Sequence, residues 1–283
     1  MSSERIFVTG GTGKTGVSLI QELIKRNAQV TVYARSPEKV VKHPNVTVIQ
    51  GDITDLASFE KAIVGHTRFF LLVIGVPDTD KIKINLAQKA YDAGVKQIVD
   101  LAALRVPWRS HSLVHPHEKS EQAIYDIPNR GYYITLRPTN FMTNTAYRVE
   151  TVKNQDIIID AAEPDDLQEW ISPEDIAEVA ANIFIDPVEK HSDAAYELIG
   201  DLITPTRRAE ILTKALGRSI TYKQLPVQKM YDLYLDQFKS HDIAYYLATS
   251  RRSNPVYRGL PILLRREPEN YESWVTRNIA TFQ

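Results

Sequence analysis

The sequence predicts an α/β protein with a doubly wound parallel sheet and a smaller, mainly helical C-terminal lobe. Three observations predict it. Short β-branched runs alternate with longer amphipathic stretches through the first half of the 283 residues, a glycine trio separates the first such run from the first helix, and the alternation stops after Pro138.

The elements follow in order. Residues 5–9 read as the first strand. Val17, Leu19, Ile20, Leu23 and Ile24 then recur at helical spacing, predicting a helix over 14–26. Residues 29–33 and 46–50 are the second and third strands, and 55–64 a short helix opened by the capping side chains within 52–55. The run 68–74 is apolar on both faces, as a strand inside a parallel sheet must be. A helix over 81–93 ends at Gly94, a strand covers 96–101, a helix 118–127 and a sixth strand 132–136. Later, 173–185 is a helix with Ser172 as cap, Pro173 at its first position and Glu174 and Asp175 in its first turn. Residues 195–198 form a last strand, and 206–216 and 226–238 are helical. The organisation expected is a nucleotide-binding domain over 1–150, to which 170–200 returns, and a substrate-side lobe over 151–283.

Composition narrows the function. With 43% apolar and 24% charged residues the chain builds an ordinary soluble core. Lys plus Arg total 34 against 35 Asp plus Glu, so a net charge of −1 offers no global field for nucleic acid or an anionic membrane. Cysteine is absent, which removes disulfides, thiolate metal sites, cysteine nucleophiles and iron–sulfur clusters together. The longest apolar run, 69–74, falls far short of the ~20 residues a membrane span needs. Without an apolar leader, the chain reads as cytoplasmic.

The chemistry begins at Gly10-Gly11-Thr12-Gly13-Lys14-Thr15-Gly16, between the first strand and the first helix. Gly10, Gly13 and Gly16 form a spacing variant of the dinucleotide fingerprint, whose glycines permit a tight turn, close approach of backbone to a pyrophosphate and close helix–strand packing. The helix N-terminus supplies N–H groups to the phosphates. A glycine-rich turn without ligand is the alternative, and a P-loop is excluded because the full Gly-x-x-x-x-Gly-Lys-Ser/Thr spacing does not occur. The second strand ends without the acidic residue that would accept the ribose hydroxyls of NAD. It ends instead at Arg35 and Ser36, suited to a 2′-phosphate, with Lys14 as a second charge, so NADP(H) is the cofactor expected. Asp52 and Ile53 stand where an adenine would lie, with Asp52 equally a helix-cap candidate.

Together with Gly51-Asp52, the run Leu136-Arg137-Pro138-Thr139-Asn140-Phe141-Met142-Thr143-Asn144 and Trp170-Ile171-Ser172-Pro173-Glu174-Asp175-Ile176-Ala177, this motif resembles the NmrA-like group of atypical short-chain dehydrogenases/reductases over residues 4–220. The resemblance implies a Rossmann domain with NADP(H) at the carboxyl ends of the strands and a small C-terminal lobe. It also implies one of two activities: reduction of a quinone-, imine- or enone-like small molecule by hydride transfer from NADPH, or catalytically silent sensing of the cofactor by a regulator with a protein partner. Typical short-chain dehydrogenases use Ser with Tyr-x-x-x-Lys; here His117-x-x-x-Glu121 occupies the place of the latter pair, as in related NmrA-like proteins. Four residues apart on a helix, His117 and Glu121 share a face, and Glu121 is expected to hold the imidazole and raise its pKa so that it serves as a proton donor. The alternative is a helix-start pair that touches the nicotinamide ribose.

Gly75 and Ala102, after strands four and five, and Asn140 and Phe141, after strand six, complete the cofactor contacts expected, with Phe141 also on the substrate side; a structural turn after Pro138 is the alternative for the last two. Trp108 is a candidate wall of the substrate pocket or ordinary core. His111, His115 and His117 invite a metal reading, but they sit in a loop-like segment and no metal is assigned. Five arginines within 251–266 form a solvated face or an acidic-partner contact.

Overall fold

The computed structural model describes residues 4–104, 115–249 and 259–283. In chain order the first elements are β1 (Arg5–Thr9), α1 (Lys14–Lys25), β2 (Gln29–Ala34), β3 (Val46–Gln50), α2 (Leu56–Ile63), β4 (Arg68–Leu71), α3 (Thr79–Asp92), β5 (Gln97–Leu101), α4 (His115–Tyr125) and β6 (Tyr132–Pro138). There follow β7 (Asn140–Phe141), α5 (Val149–Gln155), β8 (Ile157–Asp160), β9 (Gln168–Ile171), α6 (Pro173–Ile185), α7 (Val188–His191), β10 (Ala195–Leu198) and β11 (Asp201–Ile203). The chain closes with α8 (Pro205–Leu216), β12 (Thr221–Gln224), α9 (Val227–Phe238), α10 (His241–Thr249), α11 (Leu260–Leu264) and α12 (Tyr271–Arg277). The described residues divide into two compact units, the first made of 4–104, 115–138 and 173–197, the second of 139–172, 198–249 and 259–283.

The first unit is a Rossmann-like sheet in the order β10-β6-β5-β4-β1-β2-β3, with β1 through β6 paired in parallel. Side chains alternate between its faces. Phe69 joins Phe7, Phe59, Ile63, Leu86 and Ile124 under α2, α3 and α4, whereas its neighbour Phe70 meets Phe184 of α6 on the other face, ring centres 6.4 Å apart. Helix α6 lies beside α1, so both faces are covered and the central strands β4 and β5 are buried throughout. The strand order reverses between β1 and β4, and ligands of such sheets bind at the carboxyl ends beside that reversal.

Strand β4 stops at Leu71, three residues short of the expected end. The Leu72 amide donates to the Thr9 hydroxyl at 2.9 Å while that hydroxyl donates to the Phe70 carbonyl at 3.1 Å, so a side chain replaces the next ladder rung and the backbone turns through Gly75 at φ +71°. Asp55, not Asp52, caps α2, accepting the Ser58 amide at 3.1 Å.

The second unit is mainly helical, as the sequence suggests, but it also carries short strands the sequence did not announce. Two small sheets run through it: β9 is flanked by antiparallel β11 and parallel β7, and β8 pairs with β12. Strands of two to four residues carry too little periodicity to be read in advance. Its core gathers Met142, Val152, Trp170, Leu212, Tyr271, Trp274 and Phe282. Helix α8 carries complete boundary signals: Thr204 accepts the Arg207 amide, Pro205 takes the first position, and Gly217 ends the helix at φ +66°. Among the described residues no helix is long and apolar enough to cross a membrane.

Candidate active site

The glycine loop lies beside the strand-order reversal. A side chain on Gly10, at φ +70°, would come 2.6 Å from the Leu72 side chain, so the loop after β1 rests on the segment after β4. A Cβ on Gly16 would overlap the Gly10 carbonyl oxygen, which also accepts the Gly13 amide at 3.1 Å. This contact draws the first turn of α1 onto the end of β1. Gly13 is the N-cap of α1, where no side chain caps the helix and no acidic residue stands in the first turn. The leading N–H groups therefore keep their capacity for an anion. Thr12, Gly13 and Lys14 are exposed along the loop, while Thr15 is buried beneath it.

Beyond β2, Arg35 is exposed and Ser36 begins a short 3₁₀ turn without capping it through its hydroxyl. The ladder of β2 with β3 continues through the Gly51 amide to the Ala34 carbonyl, and Gly51 has no room for a side chain against the Tyr33 ring. The Tyr33 hydroxyl donates to the Asp52 carbonyl at 3.1 Å. The Asp52 carboxylate accepts the Thr54 amide and hydroxyl at 2.9 and 2.8 Å. Those bonds, aided by the Arg35 charge, hold its carboxyl below the usual range. Arg35, Asp52 and Ile53 thus belong to one rim of the sheet, the carboxyl ends of β2 and β3. Gly75 follows β4 with open space where a Cβ would stand, and Ala102 is buried after β5, its amide donating to Leu136 at 2.8 Å.

At the carboxyl end of β5 a buried polar cluster lies under α4. Lys83 of α3, fully buried, donates to Asp100 Oδ1 at 2.6 Å and to the Leu101 carbonyl at 3.0 Å, and its Nζ is 3.0 Å from Nδ1 of His117. The Tyr133 hydroxyl donates to Asp100 Oδ2 at 2.7 Å. Burial pushes the Asp100 carboxyl up, opposed by Lys83, and burial with the Asp100 charge pushes the Tyr133 phenol well above its ordinary value. The sequence expectation for His117 is reversed. Burial, and then the Lys83 charge, push the imidazole down to about 3, so it is neutral near neutrality and does not become the raised-pKa acid expected. Glu121, one turn along, is buried and ion-paired with Arg137 of β6, whose Nε also donates to it at 3.3 Å.

Lys83, Asp100 and Tyr133 escaped the sequence reading. The signal was present: Lys83 occupies the buried face of α3 with Leu86, Ala87 and Ala90, and Asp100 interrupts an apolar strand. Charges at such positions are seldom buried unpaired. Asn140 and Phe141 belong to the second unit, where β7 pairs them with Trp170 and Ile171. Trp108, His111 and Arg251, Arg252 and Arg258 lie outside the described residues, as does the side chain of His115. Among the described residues no three His, Asp or Glu side chains group as metal ligands.

The sequence profile of the NmrA-like family matches residues 2–249. The chain belongs to the NmrA-like family. Among characterised relatives, this NmrA-like chain is 28% identical over 228 residues to a (4-alkanoyl-5-oxo-2,5-dihydrofuran-3-yl)methyl phosphate reductase of Streptomyces griseus, covering 78% of this chain and 77% of the relative. Among solved structures it resembles an NADPH-dependent quinone oxidoreductase of Escherichia coli complexed with NADPH (TM-score 0.84, 24% identity, 97% and 99% of the two chains). It also resembles the negative transcriptional regulator NmrA in complex with NADP (TM-score 0.80, 18% identity, 98% and 95%). At these identities the structural likenesses establish the shared fold.

Proposed function

We propose that this NmrA-like protein binds NADP(H) and transfers a hydride from NADPH to a small quinone-, imine- or enone-like compound. The observation that carries the cofactor half is the uncapped glycine N-terminus of α1 beside the β1/β4 reversal, with Arg35 where an NAD-binding protein would place an acid. The space needed for a pyrophosphate is kept by Gly10, Gly13 and Gly16, and the backbone of Thr12 to Gly16 offers it donors. Lys14, Arg35 and Ser36 supply charge and hydrogen bonds for a 2′-phosphate, while Asp52 and Ile53 border the adenine. When bound, the cofactor supplies the hydride.

The protein's own work is positioning. Gly75 and Ala102 let a nicotinamide approach the backbone at the ends of β4 and β5, and His117 contributes a polar atom on the same rim. The reductase relative supports the catalytic half of the reading. The first experiment is titration of NADPH fluorescence with the full chain, followed by NADPH oxidation against quinone, enone and iminium panels. Binding with turnover supports the reductase. Tight binding without turnover on any panel makes the protein a cofactor-sensing regulator, and absence of binding defeats both.

A further inference from the structure

The cluster beneath His117 specifies a protonation state. An ammonium has three N–H donors and no acceptor. Lys83 has three acceptors for them: Asp100 Oδ1 at 2.6 Å, the Leu101 carbonyl at 3.0 Å and Nδ1 of His117 at 3.0 Å. The second Asp100 oxygen is held by the Tyr133 hydroxyl at 2.7 Å, so the carboxylate cannot turn away from the lysine without abandoning a buried partner. Facing an obligate donor, Nδ1 must present its lone pair, and the single proton of the ring then sits on Nε2. The two ring nitrogens point in divergent directions, so this N–H is turned away from the buried ammonium.

We propose that Lys83 and Asp100 are positioning residues that lock His117 as a neutral, Nε2-protonated hydrogen-bond donor, and that this donor selects hydride acceptors bearing a carbonyl oxygen, quinones and enones, over cationic iminium compounds. The selectivity rests on the reductase reading above; the tautomer does not. Burial and the adjacent charge keep the ring from taking a second proton near neutrality. Among the described residues, the other charged or titratable groups around the cluster are Tyr91 from α3, Tyr133 and Arg137 from β6 and Glu121 from α4, with Arg137 and Glu121 paired to each other.

The chemistry balances as follows. A hydride delivered by NADPH, which leaves as NADP⁺, forms a C–H bond at the β-carbon of an enone, and the displaced π pair collects on the carbonyl oxygen. The Nε2–H of His117 donates to that oxyanion and keeps its proton, since releasing it would leave an imidazolate. Water supplies the proton that completes the neutral product. A quinone follows the same course, with negative charge on oxygen. An iminium ion takes hydride at carbon and becomes a neutral amine, so no oxyanion forms for the donor to stabilise, and its positive charge opposes the positive end of the N–H dipole.

The test has two independent arms. In the full chain labelled with ¹⁵N-histidine, long-range ¹H–¹⁵N correlation between pH 8 and 5 is expected to show one ring that stays neutral and Nε2-protonated, and that is missing from His117→Ala. A His117 ring that titrates in this range, or carries its proton on Nδ1, overturns the proposal. Lys83→Met removes the lysine's share of the shift and its claim on Nδ1, so the ring is expected to titrate higher than in the wild type and to lose its fixed Nε2 tautomer; if that variant does not fold, the wild-type spectrum still decides. In the second arm, His117→Ala is expected to lower the quinone-to-iminium ratio of kcat by ~10²-fold, the scale of losing one oxyanion donor. An unchanged ratio overturns the selectivity. A chain that leaves NADPH fluorescence unaltered defeats the reductase reading and the selectivity with it, and the ring spectrum then rules on the lysine lock alone.

Discussion

Gly16 stands so close to Gly10 that a Cβ on it would overlap the Gly10 carbonyl oxygen and come within 2.8 Å of the Gly11 Cα. Every atom in the way is backbone of the turn itself, so no side chain can step aside. Gly16→Ala is therefore expected to push the first turn of α1 off the end of β1. The expected cost is about 1–3 kcal/mol of stability, the scale of overpacking a tight contact. NADPH affinity is expected to fall by ~10-fold or more because the helix N–H groups lose their register. Urea unfolding and fluorescence titration on the same preparation check both; a variant that binds NADPH like wild type refutes the cradle.

The alternation of β1 through β6 with their helices was legible because the strands are short, mostly apolar or β-branched runs and helices such as α1 carry apolar residues at helical spacing. The places where reading failed have local causes. The end of β4 depends on the Thr9 hydroxyl, which lies 63 residues away from Leu72 in sequence. The strands of the second unit are too short to show a period. For the candidate site, the glycines, Arg35 and Asp52 were legible because they sit at fixed offsets from β1, β2 and β3. The partner of His117 was not, because Lys83 is 34 residues upstream on another helix. Proximity along α4 suggested Glu121, and the topology supplied a cation instead.

Arg35 is the residue on which cofactor choice is expected to turn. It is exposed, and its charge already acts on Asp52 at the end of the neighbouring strand. Arg35→Ala is expected to weaken NADPH binding by ~10-fold or more while changing NADH binding little, since only NADPH carries a 2′-phosphate for the guanidinium to pair with. Parallel titrations with the two cofactors measure the ratio. Equal losses for both would place the arginine away from the 2′ position.

Two neutral histidines, His66 buried and His117 half-buried, are expected to make the fold acid-sensitive. His66 bonds the Ile63 carbonyl at 3.0 Å through Nδ1 and the Thr31 hydroxyl at 2.7 Å through Nε2, and burial lowers its pKa. His117 is lowered to about 3, by burial first and then by Lys83. Both folded values lie below that of an unfolded histidine, ~6.5, so the unfolded chain binds protons first as the pH falls. Stability from this source is complete above about pH 6.5 and declines below it, with His117 alone contributing a loss of up to about 2 kcal/mol by pH 5. Urea midpoints at pH 7 and pH 5 should show the decline, and His117→Gln should shrink it. A midpoint that rises on acidification contradicts the assignment.

The ion pair of Glu121 and Arg137 ties α4 to β6, with the carboxylate side chain 2% exposed and the guanidinium 14%. Removing one member leaves a buried charge without its principal partner, a change that costs roughly 3 kcal/mol or more. Arg137→Met is thus expected to lower the urea midpoint strongly. The double variant with Glu121→Gln is expected to recover part of the loss, because the stranded charge is then gone. The same variants separate a structural pair from a catalytic one. If Glu121 acts only by anchoring α4, the double variant keeps the neutral His117 tautomer and loses stability. If the carboxylate governs the imidazole, the ring spectrum changes even where the fold survives.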